Sequence, residues 1–176
     1  MAIPTIVESL YRAFPKTGNQ GADVDALSIL LNMPVPADYR EWITFMDNRS
    51  AGAGYLVGLT GNGDSVHRVY EEFPHWISNR WLPVADDAFG NKYVMLLGHS
   101  RGRKPVALVY ALIDPDKLCC AVSSDLFKFL ESFFRDGLET TGLSWWNRGK
   151  SEVLSKDPEL EFISNVPLPW DCGAAE

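Results

Sequence analysis

The side chains best placed by spacing to do chemistry lie in the run Gly98-His99-Ser100-Arg101-Gly102, which follows the apolar stretch Tyr93 to Leu97. Gly-x-Ser-x-Gly after a strand spells the nucleophile elbow of α/β-hydrolases, where a sharp strand-to-helix turn exposes the serine hydroxyl. Here Arg103-Lys104-Pro105 leads straight into Val106 to Tyr110, a β-branched and aromatic run that predicts a strand where the elbow needs a helix. The hydrolase order also places a histidine after the serine and the acid, and none of this chain's histidines lies beyond His99. The pattern therefore predicts a polar hairpin turn, with a small serine hydrolase using Ser100 kept as an alternative.

Other reactive groups are sparse. The histidines are His67, His75 and His99, and no close His or Cys pair gives them the spacing of a zinc site, so no metal is expected. Cys119 and Cys120 are adjacent in a predicted strand, which should send one thiol into the core and the other to the surface. No base or helix start lies beside them to make a catalytic thiolate. Gly61-Asn62-Gly63 is a lone Gly-x-Gly without the rest of a dinucleotide or phosphate-loop signature, so no cofactor is expected. With Cys172, the three cysteines cannot form a fully paired disulfide framework, a usage that fits a reducing cytoplasm.

The elements that must position these residues divide the chain in two. Ile6, Val7, Leu10 and Phe14 share one helical face after Pro4 and Thr5, and Asp23 is a plausible N-cap for a short helix with Leu27, Leu30 and Leu31. Pro36 begins a clearly amphipathic helix in which Tyr39, Trp42, Ile43 and Met46 fall at i, i+3, i+4 and i+7. Strands are then predicted at Tyr55 to Thr60, Trp81 to Ala85, Tyr93 to Leu97, Val106 to Ile113 and Leu118 to Val122. Ser65 to Asn79 reads equally as strand or as helical turns interrupted by Pro74. The short connections after Trp81 imply antiparallel neighbours, because parallel pairing needs a crossover of about a dozen residues. Ser124 suits the N-cap of a closing helix bearing Leu126, Phe127, Leu130, Phe133 and Phe134, with Gly137 as its stop. The expected architecture is α+β: N-terminal helices, a four- to six-stranded antiparallel sheet, and a closing helix packed on it. Residues 1–137 form the domain and residues 138–176 an extension lying over it, since a segment below about 40 residues rarely folds alone.

The 176-residue chain is 46% hydrophobic and 22% charged, which excludes disordered and low-complexity classes. Its longest strongly apolar run, Pro105 to Ile113, is too short for a bilayer crossing of about 20 residues, and the N-terminus lacks the pattern of a secretory signal. A cytoplasmic location is expected. The net charge is −7, which disfavours nucleic acid as a partner and favours a basic protein. The acidic excess concentrates in residues 1–88, with 11 acids against 6 bases, while residues 89–176 hold 12 against 10. Asp64, Glu71, Glu72, Asp86 and Asp87 fall near Phe73, Trp76 and Trp81. One reading is a solvated surface over core aromatics. The functional reading is an acidic face anchored by Trp76 that docks onto a basic partner.

Three segments, taken in order, resemble the SUKH superfamily, the cell-wall assembly regulator-like fold. Met33-Pro34-Val35-Pro36-Ala37-Asp38-Tyr39-Arg40-Glu41-Trp42-Ile43 is similar to that family's Leu-Pro-x-Asp-Tyr helix. Trp81-Leu82-Pro83-Val84-Ala85-Asp86-Asp87-Ala88-Phe89-Gly90-Asn91 resembles its Leu-Pro-Ile-Ala strand and turn. Ser123 to Leu130 is similar to its closing Ser-Phe-x-x-Phe-Leu helix. The family's Asn-Gly is replaced by Asn48-Arg49-Ser50-Ala51-Gly52, and the segment after Gly137 has no counterpart. The resemblance implies a non-enzymatic α+β binding domain. Most bacterial members look like immunity proteins that bind and block a toxin, often a nuclease, and fungal members are regulatory scaffolds for cell-wall synthesis. Asp64, Glu71, Glu72, Trp76, Asp86 and Asp87 are the expected partner-binding residues. A homodimer is left open, and no catalytic residue is assigned.

Overall fold

The computed structural model describes residues 5, 24–46, 55–59, 65–87, 89–100, 102–136 and 148–172. The chain is an α+β protein whose centre is a five-stranded antiparallel sheet in sequential order. Helix α1 spans Val24–Leu30 and α2 Ala37–Met46; β1 is Tyr55–Leu56, α3 Val66–Glu72 and α4 His75–Asn79. The main strands are β2 (Trp81–Asp86), β3 (Lys92–Leu96), β4 (Val106–Val109) and β5 (Cys120–Ser123). Helix α5 (Leu126–Asp136), α6 (Lys150–Lys156) and a 3₁₀ turn (Pro158–Phe162) complete the described elements. The predicted helix at Ile6 to Phe14, its neighbouring loop, and the stop at Gly137 lie outside the described residues.

Short turns force the meander. Trp81 pairs with Leu96 and Asp86 with Lys92 across β2 and β3, and Tyr93 pairs with Leu108 across β3 and β4. Every residue of β3 and β4 is buried, so both faces of the central strands are covered. The register shifts between Pro83 and Ala85, where proline supplies no ladder N–H.

Helix α5 buries Leu126, Phe127, Phe129, Leu130, Phe133 and Phe134. Phe129 meets Tyr93 of the sheet with ring centroids 5.1 Å apart, and Phe134 meets Trp42 of α2 edge-on at 6.2 Å. Tyr39, Trp42 and Ile43 are all buried, as the spacing of α2 predicts. The cap of α5 is one residue later than expected: the Asp125 carboxylate accepts from Lys128 N–H at 2.9 Å, while the Ser124 hydroxyl turns to Asp157.

The open segment Ser65 to Asn79 forms the two helices α3 and α4, with the Ser65 hydroxyl capping α3 through Arg68 N–H, and two predicted strands end early. The first strand stops at Leu56. Strand β4 stops at Val109, because the chain turns back on itself: Ile113 and Asp114 N–H both donate to the Tyr110 carbonyl, at 2.9 and 2.8 Å. Ala111, Leu112 and Ile113 therefore leave the sheet.

The C-terminal segment packs on the edge strand. Val153, Leu160 and Ile163 cluster with Ala121 of β5, and Ala121 N–H donates to the Pro167 carbonyl at 2.8 Å. This occupies an edge that would otherwise offer its backbone to another strand. A buried polar knot fixes it. The Asp157 carboxylate accepts from Ser124 N–H and Oγ at 2.7 Å each and from Lys128 Nζ at 2.8 Å.

Candidate functional site

The expected partner-binding residues do not form one face. Trp76 is fully buried; its ring stacks on Phe73 at 4.7 Å, and its indole N–H donates to the Pro115 carbonyl at 2.8 Å. It holds the loop after β4 against α4 and offers no surface to a partner. Asp86 is also a core residue, 4% exposed, and its carboxylate lies 3.1 Å from Lys92 Nζ on the neighbouring strand. The physical reasons differ: Trp76 is covered by Phe73 and by the loop that carries Pro115, and Asp86 sits inside the sheet between β1 and β3, where Lys92 neutralises it.

Asp87 is half-buried and engaged by its own turn. Its carboxylate accepts from Phe89 N–H at 2.8 Å, Asn91 N–H at 2.9 Å and the Asn91 side-chain amide at 2.7 Å. Such Asx bonding makes the tight turn between β2 and β3 and leaves less of the charge for a partner. Glu71 and Glu72, at the end of α3, are exposed. Asp64 lies outside the described residues.

What the turns place outward is apolar. Phe89 is 63% exposed, Leu112 73% and Ile113 81%. The turn after β2 and the turn after β4 lie at the same end of the meander and touch one another. Gly90 takes φ of +83°, and a Cβ built there would stand 2.8 Å from Leu112 Cδ1. Asp87, Asp114 and Asp116 flank these side chains in sequence, and both Asp114 and Asp116 are exposed. Asp116 pairs with His75 Nε2 at 3.0 Å. The sequence signal for this surface was Asp87 ahead of Phe89; the exposure of Leu112 and Ile113 had none, since both read as strand.

The Gly98–Gly102 run links β3 to β4, two antiparallel strands, so no helix follows Ser100. Ser100 is exposed, and the neighbouring His99 carbonyl accepts from Lys104 Nζ. A shallow cavity of about 280 Å³ borders the run, lined also by Asn79, Trp81 and Asn165.

The thiols divide in burial as expected, with Cys120 in the core and Cys119 half-buried, but they converge where separation was expected. The sulfurs of Cys119, Cys120 and Cys172 all lie within 4.8 Å of one another. Strand β5 starts only at Cys120, so Cys119 escapes the alternation that would have sent it to the opposite face. A turn at Leu168, whose carbonyl accepts from the N–H groups of Asp171 and Cys172, brings Cys172 in, and its thiol donates to the Cys119 carbonyl at 2.9 Å. Hydrogen bonding from the Cys120 thiol, aided by Tyr110, Cys172 and the charge of Lys117, outweighs burial and brings the Cys119 thiol down to about 6. The Cys120 thiol is pushed up by that same bond and by burial. A cavity of about 350 Å³ opens beside them, lined by Tyr110, Asp114, Lys117 and Asp171 among others.

No protein-family model, no curated protein and no solved structure matches the chain. No helix among the described residues is long and apolar enough to cross a membrane.

Proposed function

We propose that the chain is a non-enzymatic protein-binding domain that neutralises a basic, nuclease-type toxin by covering it, as the resemblance to SUKH immunity proteins implies. The observation that carries the reading is the exposed apolar tip of the sheet, Phe89 with Leu112 and Ile113, set among the acids Asp87, Asp114 and Asp116. Large apolar side chains held together on a folded surface mark an interaction site more often than solvent-facing waste. The net charge of −7 adds a field that draws a basic partner in, to which Glu71 and Glu72 contribute. Charge then governs how fast the partner arrives, and the apolar tip governs how slowly it leaves. This moves the anchor from Trp76 to Phe89, Leu112 and Ile113.

Co-expression with basic toxin domains encoded beside the gene tests the reading. The chain should restore growth and bind its toxin directly. Leu112→Ser with Ile113→Ser should speed dissociation at least tenfold, and Glu71→Lys with Glu72→Lys should slow association and flatten its salt dependence. Full protection and unaltered kinetics in both double variants would remove this surface from the mechanism, and failure to bind any such toxin would remove the function.

A further inference from the structure

All three cysteines of the chain meet at one point, although Cys172 is far from the other two in sequence. Cys120 opens the edge strand, Cys119 directly precedes it, and the third comes from a turn of the C-terminal segment that is tied to that strand by the Ala121 to Pro167 hydrogen bond. The convergence is therefore built by backbone pairing, not by loose side chains. Cys120 is fully buried, and Cys119 and Cys172 are half-buried. Zinc–sulfur bonds are about 2.3 Å, so three sulfurs on a tetrahedral ion stand about 3.8 Å apart. From a triangle whose sides are at most 4.8 Å, each sulfur need move inward by only about 0.6 Å.

We propose that Cys119, Cys120 and Cys172 bind a thiophilic d¹⁰ cation, Zn²⁺ or Cu⁺, through three thiolates. Soft sulfur donors select these ions over magnesium, calcium or manganese. Binding converts the thiols to thiolates and releases their protons to solvent; no oxidant takes part. A tris-thiolate zinc centre carries one negative charge, and Lys117, which lines the adjoining cavity, is placed to offset it. Zn²⁺ would complete its shell with water from that cavity, whereas Cu⁺ is satisfied by three sulfurs. The bound ion would link the edge strand to the C-terminal segment. This inference stands independently of the proposed function.

The experiment uses the full chain, reduced and stripped of metal. Zn²⁺ alone and Cu⁺ alone are titrated against chromophoric chelators of known affinity, and Co²⁺ serves as a spectroscopic probe through its thiolate-to-metal charge-transfer bands. One ion per chain, protection of all three thiols from a thiol-reactive dye, and a loss of affinity above about 100-fold in Cys172→Ser and in Cys119→Ser are expected, since even outer-shell changes cost 10–100-fold. The stronger chelator-resistant ion identifies the cation. Neither residue is fully buried, and circular dichroism checks that both variants keep the fold; the dye protection assay on the unmodified chain needs no variant. Binding unchanged in both serine variants, or thiols equally reactive with and without metal, would overturn the site.

Discussion

Asp157→Ala should loosen the C-terminal segment from the domain, and the size of the effect follows from what the carboxylate holds. It accepts from Ser124 N–H and Ser124 Oγ at 2.7 Å each, from Lys128 Nζ at 2.8 Å and from Ser123 Oγ at 3.2 Å. Ser123 keeps a second acceptor, the Asp125 carbonyl at 3.0 Å, and Lys128 keeps Glu159 at 3.3 Å, so those two lose little. The buried Ser124 loses acceptors for both its donors, at about 1–3 kcal/mol each. A net loss of about 3 kcal/mol is expected, at the lower end for breaking a buried ion pair. For a chain of this length that is about 6–12 °C in Tm. Urea unfolding followed by circular dichroism measures the total, and amide exchange at Ala121 and Ser124 shows whether the segment opens before the core does.

The pH dependence checks the same reasoning. Burial alone would raise the Asp157 carboxyl, but its bonds to Lys128 and Ser124 outweigh that and hold it below 3.8. A depressed carboxyl contributes stability that is fully present above the unfolded value of about 3.9 and is lost as the pH falls through the folded one. The gap between the parent chain and Asp157→Ala should stay constant from about pH 5 to 8 and narrow below about pH 4. A gap under about 1 kcal/mol at pH 7, with unchanged exchange at both amides, would refute the reasoning.

Two further substitutions probe the end of the sheet. Asp86→Ala removes the carboxylate 3.1 Å from the buried Lys92 ammonium and should cost about 2 kcal/mol in urea unfolding, so that any loss of partner binding by this variant tracks unfolding; a near-neutral effect would return Asp86 to the surface. Gly90→Ala forces a Cβ onto φ of +83° and against Leu112, and should cost about 1–2 kcal/mol while displacing the exposed leucine; thermal unfolding and the leucine methyl signals in NMR would register both.

Local pattern carried much of the fold. The spacing of Tyr39, Trp42 and Ile43 and of Leu126 to Phe134 specifies amphipathic helices whatever they pack on, and the short turns after Asp86 and Leu96 permit only antiparallel neighbours. Ser65 to Asn79 was ambiguous because its β-branched residues and its Pro74 pull in different directions, and capping by Ser65 together with burial of Val66, Val69 and Trp76 decides for helix.

The sites were less legible, since acidity and aromatic content do not say which side chains a neighbouring element covers. Asp86 and Lys92 are six positions apart in the chain and become partners only through the register of β2 and β3. Leu112 and Ile113 continue an apolar run that looks like strand, and only the turn closed on the Tyr110 carbonyl turns them outward. Composition and periodicity thus determined the α+β class, the acidic charge and the faces of the two amphipathic helices, because those depend on residues a turn or less apart. Tertiary structure alone decided which acids remain exposed and that Cys172 joins Cys119 and Cys120, because these depend on how distant segments dock and which backbone groups must be satisfied when they do.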